Sequence, residues 1–325
     1  MKFGLILKRL ACTAVLLGAV FAQPVCAASI KSLDISYAYY DPLSLILKDK
    51  SYLQDALGPD VKISWVLSQG SNQALEYLRS NSIQFGQTAG SAALLSRANG
   101  TPVQVIATTA FSEWTAIVVR PNSPIKTIAD LKGKRVAATP GTDPYIFLLR
   151  ALATKGLRLS DIQLVPLQHP LGRQALDADR VDAWAGLDPF MAEAQLQQHD
   201  ILIYRNKTFI SPGTLLVRDD FEKAHPDVVD AVLRAYAKAR AWAIVHPEGT
   251  AEILAKDSGV SLAVARKQLT RVNFFGEAVG AAQVASILAA GPILKESGDL
   301  TADANLQEAG ATLVNTSFTS ALKIK

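Results

Sequence analysis

Four short stretches of this chain share one chemical pattern. In each, a β-rich run ends in small, hydroxyl-bearing or glycine residues and a helical pattern begins at once. They are Tyr39-Tyr40-Asp41, Ser68-Gln69-Gly70-Ser71, Thr88-Ala89-Gly90-Ser91 and Gly141-Thr142-Asp143. At the carboxyl ends of strands in an open α/β sheet, helix N-termini present unpaired N–H groups and a partial positive charge. Neutral donors gathered there suit an anion. The plain alternative for each stretch is an N-cap that serves only its own helix.

Catalytic constellations are missing. The chain contains no G-x-S-x-G elbow, H-E-x-x-H, P-loop or G-x-G-x-x-G fingerprint. His169, His199, His225 and His246 are scattered, and three of them precede proline, which places them at loops or helix ends. Asp219-Asp220 reads as a helix-start cap and a first-turn acid. Scattered Asp and His do not make a metal site, so neither a metal nor a cofactor is expected.

The elements that must position the four stretches follow a βα rhythm. Strands are expected at 33–39, 61–67, 83–86, 103–108 and 115–120, with helices at 43–57 and 92–99. After Pro121-Asn122-Ser123-Pro124 the rhythm restarts, with strands at 135–138, 162–166 and 181–185 and helices at 145–155 and 171–178. The strands at 115–120 and 213–218 are alike and flank this second unit. Two connections between two α/β units make a hinged cleft. Beyond Arg218 the pattern is helical, at 219–224, 226–245, 248–256, 261–271, 277–288 and 304–314. The resulting division is a leader at 1–27, the first part of lobe 1 at 28–115, lobe 2 at 116–212, and a return with C-terminal helices on lobe 1 at 213–325.

The composition agrees with two cores of ordinary size. The chain has 325 residues, 49% of them hydrophobic and 19% charged, with a net charge of +4 and no basic run of the kind nucleic acid requires. Part of that charge belongs to the leader. Lys2, Lys8 and Arg9 precede an apolar run at 10–22, and Val25-Cys26-Ala27 offers small residues for a signal peptidase. The run is too short to span a bilayer. Cleavage after Ala27 removes both cysteines, Cys12 and Cys26, and leaves a nearly neutral exported mature chain. Such a chain has no disulfide, no thiolate ligand and no cysteine nucleophile.

The segment at 123–137, Ser-Pro-Ile-Lys-Thr-Ile-Ala-Asp-Leu-Lys-Gly-Lys-Arg-Val-Ala, carries a family resemblance. So do Gly141-Thr142, Leu149-Arg150-Ala151-Leu152, Ser160-Asp161-Ile162, Val181-Asp182-Ala183-Trp184 and Asp188-Pro189. With Ile83-Gln84-Phe85-Gly86, Thr88 and the stretch 221–226, the chain resembles the solute-binding proteins of ABC importers for aliphatic sulfonates, taurine and nitrate over about 33–273. The resemblance implies a type II periplasmic-binding fold, two doubly wound α/β lobes joined by two hinge strands, with a helical C-terminal extension. It also implies a monomer that closes on a small anion, performs no catalysis, and delivers its ligand to a permease and ATPase complex.

A sulfonate is a permanent anion with three acceptor oxygens and no donor. The resemblance places it on Thr88 and Ser91 in the first lobe and on Gly141 and Thr142 in the second, with Tyr40 and Gln69 lining the pocket. Trp114 either covers the ligand's carbon tail or packs the hinge. Asp188 either meets a ligand hydroxyl or amine or caps the helix after Pro189. The relatives' Ser-Glu at the first hinge strand is here Trp114-Thr115, with Glu113 one residue earlier, and Ala89-Gly90 replaces their Gly-Glu. Both changes remove or move a carboxylate and argue against taurine. Sulfate esters, nitrate and pyrimidine precursors are the rival ligands, and a secreted enzyme on the same scaffold is the rival function.

Overall fold

The computed structural model describes residues 30–274 and 279–318. The expected leader and the start of the helix expected at 277–288 therefore lie outside the described residues. The first sheet begins with β1 (Ser32–Tyr37), β2 (Lys62–Leu67), β3 (Phe85–Ala89) and β4 (Val103–Ser112). These strands alternate with α1 (Pro42–Asp49), α2 (Tyr52–Leu57), α3 (Ser71–Arg79) and α4 (Gly90–Ala98). The 43–57 stretch, periodic enough for one helix, is broken because Ser51 adopts a left-handed φ of 56°. Periodicity cannot register a one-residue kink of that kind.

The second sheet is built from β5 (Thr115–Val119), β6 (Arg135–Ala138), β7 (Gln163–Pro166), β8 (Ala183–Leu187) and β9 (Ile201–Tyr204), with α5 (Asp143–Ala153), α6 (His169–Asp177) and α7 (Phe190–Gln197) between them. The chain then returns through β10 (Gly213–Arg218), α8 (Asp219–Ala224), α9 (Pro226–Val245), α10 (Pro247–Ser258) and α11 (Leu262–Leu269). It ends in the two-residue β11 (Val272–Asn273), α12 (Ala281–Leu288), α13 (Gly291–Ser297) and α14 (Leu306–Thr312).

The sheet orders are β11-β4-β10-β3-β1-β2 and β7-β6-β8-β5-β9. In each sheet the parallel βα units carry the cleft loops, while antiparallel strands close the side where the chain crosses. The crossings are Glu113-Trp114, between β4 and β5, and residues 205–212, between β9 and β10.

One buried apolar cluster runs across the junction, from Leu78 and Ala93 in the first lobe to Ile117 and Phe147 in the second, and each lobe also has a core of its own. In the first, α9 buries Val228, Val232, Ala235, Ala239 and Ala243, a stripe at three- and four-residue spacing, against α1 and α2. In the second, Trp184 of β8 is fully buried under α6. The helix comes this close because residue 172 is glycine: a Cβ there would sit 2.7 Å from Trp184 Nε1. In the C-terminal segment α12 and α14 pack on α4, α13 packs on α5, and α11 packs on α7, so it touches both lobes. The hydroxyl of Ser261, the N-cap of α11, accepts a bond from Val264 N–H. Ser261→Ala should cost about 1 kcal/mol in a urea unfolding experiment.

Candidate functional site

The four strand-to-helix stretches do meet at the junction of the lobes, but none of them acts as a plain N-cap. In α1, α3, α4 and α5 no N-cap side chain accepts a bond from the helix it precedes. Their polar groups point elsewhere. Tyr40 donates its hydroxyl to the Gln87 carbonyl at 2.8 Å and packs edge-to-face on Trp114, with ring centroids 6.1 Å apart. Ser71 Oγ accepts from Ala89 N–H at 3.0 Å and ties α3 to the end of β3.

The centre of the junction is Asp143, the first residue of α5. It is 1% exposed. Its Oδ1 accepts from the hydroxyls of Ser91 and Ser211, the latter at 2.8 Å, and its Oδ2 accepts from Trp114 Nε1–H at 2.9 Å. Ser211 Oγ in turn accepts from Ser91 N–H at 2.9 Å, in the first turn of α4. Among the described residues no Lys, Arg or His pairs with this carboxylate. Burial pushes its pKa up, and the hydrogen bonds from Ser91, Trp114 and Ser211 pull it back. This carboxyl group is thus held between two helix N-termini by hydroxyl, indole and amide donors, with no Lys, Arg or His bonded to it among the described residues.

Ser91, expected at an anion, sits on a carboxyl group of the protein itself, and Trp114, expected over a carbon tail or packed in the hinge, donates to the same group. Trp114 is at once a crossing residue and a donor. Thr88 is fully buried and its hydroxyl engages Thr214 Oγ1 at 3.2 Å on the neighbouring strand. Thr142 donates to the Thr139 carbonyl at 2.6 Å. Gly141 takes a φ of +75°, a region open to glycine, and faces Asn72 of the first lobe, whose Cβ would lie 3.6 Å from a Cβ at 141. Gln69 is half-buried, and its N–H is taken by Gln73 Oε1 at 2.9 Å.

Asp188 is engaged by groups of the protein itself. Its Oδ1 accepts from Ala192 N–H at 3.0 Å, in the helix after Pro189, while Arg271 grips both oxygens at 2.6 and 2.8 Å. Glu113 is likewise engaged, with Arg205 at 2.6 Å and Lys207 at 3.7 Å. These cations line a cavity of about 570 Å³ on the crossing side, together with Lys267 and Arg271.

Sequence reasoning missed Ser211, gave the Asp143 carboxylate no role, and set His169 aside. His169 is fully buried at the start of α6. Thr139 Oγ1 donates to the Leu167 carbonyl at 2.7 Å, so at 3.3 Å it can only accept from His169 Nδ1–H. Nε2 is then a bare acceptor, without a partner among the described residues, and it faces Gly70 of the first lobe. Burial drives the ring pKa down to about 3 and keeps it neutral. Nothing in the residue types marks this; only the meeting of α3 and α6 does.

Relatives of the chain share this architecture. A protein of Escherichia coli (strain K12) named for aliphatic sulfonate binding is 32% identical over 220 residues, 67% of this chain and 69% of its own length. The alkanesulfonate-binding protein SsuA from Xanthomonas axonopodis pv. citri, solved bound to MOPS, superposes with a TM-score of 0.81 at 26% identity, covering 89% of this chain and 99% of that one. The periplasmic aliphatic sulphonate-binding protein SsuA from Escherichia coli superposes with a TM-score of 0.75 at 27% identity, covering 86% and 92%. The fold is therefore the two-lobed one of the periplasmic binding proteins. The NMT1/THI5-like family model matches residues 45–250, more than half of the sequence, and the chain belongs to that family.

Proposed function

We propose that this protein is the substrate-binding component of an ABC importer, a periplasmic protein that captures an aliphatic sulfonate between its lobes and hands it to a membrane permease. The observation that carries this reading is the cradle at the junction. Ser91, Ser211 and Trp114 converge on one buried carboxyl group with no directly paired cation among the described residues, at the N-termini of α4 and α5. A sulfonate has the same demand: several acceptor oxygens, a permanent charge and nothing to donate. Binding energy comes from dipoles and hydroxyls that lie on both lobes, so the ligand favours the closed arrangement over the open one. The similarity to sulfonate-binding relatives supports the same ligand class, and the capture requires no bond to be made or broken.

The test is calorimetry and thermal shift on the chain from Ala28 onward, with methane-, ethane- and butanesulfonate, taurine, a sulfate ester and nitrate. An alkanesulfonate is expected to bind with a Kd of about 1 μM or tighter. At a hundredfold excess over Kd it should add about 3 kcal/mol to the unfolding free energy. Binding of nitrate with no response to any sulfonate would overturn the assignment.

A further inference from the structure

We propose that Asp143 is an intramolecular occupant of the anion cradle. In the empty protein its carboxylate takes the place of the ligand's anionic group and fastens the lobes together, so that an external anion enters by exchange. The simpler role for an aspartate at the first position of a helix is to bind the N–H groups of its own first turn. Asp143 makes no such bond. Every strong donor to it comes from another element: Ser91 from α4 of the first lobe, Trp114 from the first crossing, and Ser211 from the second. The acceptor rides on α5 of the second lobe. The contact therefore exists only while the lobes are together, and opening the cleft strips the carboxylate of the Ser91 hydroxyl.

The chemistry of the occupant matches that of the ligand class. Three donors meet Oδ1, the Ser91 and Ser211 hydroxyls and, at 3.4 Å, the Ser211 N–H, and one meets Oδ2, and both oxygens lie where two helix N-termini favour negative charge. A sulfonate presents three oxygens of the same kind to the same donors. Two anions cannot share four donors in a buried site without a paired cation, and none is paired with Asp143 among the described residues, Arg150 acting on it through its charge alone. An incoming sulfonate must therefore displace the carboxylate, and α5 must move for it to do so. Side chains already proposed as ligand donors are, in this closed arrangement, spent on the protein itself. The free energy of that self-contact is subtracted from every anion's affinity, so residue 143 sets how strong a ligand must be to open and re-close the cleft.

The exchange rests on the sulfonate reading, whereas the fastening of the empty lobes does not. The experiment separates them. Small-angle scattering of the ligand-free wild type, Asp143→Ala and Asp143→Asn reads the fastening, and calorimetry with ethanesulfonate reads the exchange. Thermal melts confirm that each variant is folded. The alanine variant should have a larger radius of gyration than the wild type without ligand and should contract when ethanesulfonate is added. If the occupant holds the empty protein closed about ten to one, removing it tightens apparent ethanesulfonate affinity about tenfold. The asparagine variant, which keeps an acceptor but loses the charge, should fall between.

A ligand-free alanine variant as compact as the wild type overturns the proposal. So does ethanesulfonate binding that is unchanged or weakened in both variants, and that result leaves the sulfonate reading standing. Opening of the alanine variant with no sulfonate binding to any of the three proteins supports the fastening and removes the sulfonate reading instead.

Discussion

Replacing Arg271 with alanine is expected to lower the unfolding free energy by about 3–5 kcal/mol, as for other buried ion pairs that lose one partner. Arg271 follows α11 on the first-lobe side, and Asp188 ends β8 in the second. Their side chains are only 6% and 2% exposed. The guanidinium grips both carboxylate oxygens, and its Nη1 also donates to Gln195 Oε1 at 2.9 Å, in α7. Burial alone pushes the Asp188 carboxyl up, and the adjoining Arg271 charge is what opposes it. Without that charge the carboxylate keeps one donor, the Ala192 N–H. The cost arises from the stranded charge, so a variant that removes both charges should lose less. Urea denaturation of Arg271→Ala and of the double variant Arg271→Met/Asp188→Asn tests this. Equal losses would place the cost in packing rather than in the uncompensated carboxylate.

The same pair shows where sequence reading stops. The βα alternation, the restart after Pro121 and the helices of the C-terminal third follow from local patterns, and β10, α8 and α9 begin and end where periodicity and capping residues put them. Local patterns omit β9, β11 and α13, which are short and find their place through neighbours. Sheet membership is also non-local: which of two similar strands belongs to which sheet depends on pairing partners far along the chain. The site divides in the same way. Ser91 and Trp114 carry their chemistry on their faces, a hydroxyl at a helix start and an indole N–H beside a crossing. The group they hold does not, because Asp143 meets Ser91 across 52 positions and Ser211 across 68. Asp188 and Arg271 are separated by 83. A carboxylate beside proline at a helix start reads as a first-turn acid until the other lobe is laid against it.

Two buried groups give the stability of this fold opposing dependences on pH. Asp41, 2% exposed after β1, has its pKa pushed up to about 7 by burial, against the pull of the Arg240 charge. His169 is pushed down to about 3 by burial. Unfolded, they titrate near 3.9 and 6.5. For Asp41 the folded state holds its proton more tightly, so its contribution is fully present below about pH 4 and is lost as pH rises towards 7. For His169 the unfolded state binds the proton first, so its contribution is fully present above about pH 6.5 and is lost as pH falls towards 3. Each slope is about 1.4 kcal/mol per pH unit, and over the shared window the two oppose each other. Single variants should unmask them. Relative to the wild type, Asp41→Asn should gain roughly 3 kcal/mol between about pH 4.5 and 7, because it lacks a carboxyl that must ionise in the folded interior. His169→Gln should move the other way, with its stability relative to the wild type falling by roughly 3 kcal/mol between about pH 4.5 and 6.5. Urea midpoints at several pH values supply both differences, in which the remaining titrating groups cancel. Differences that stay flat would mean that these two side chains titrate alike in the folded and unfolded chains.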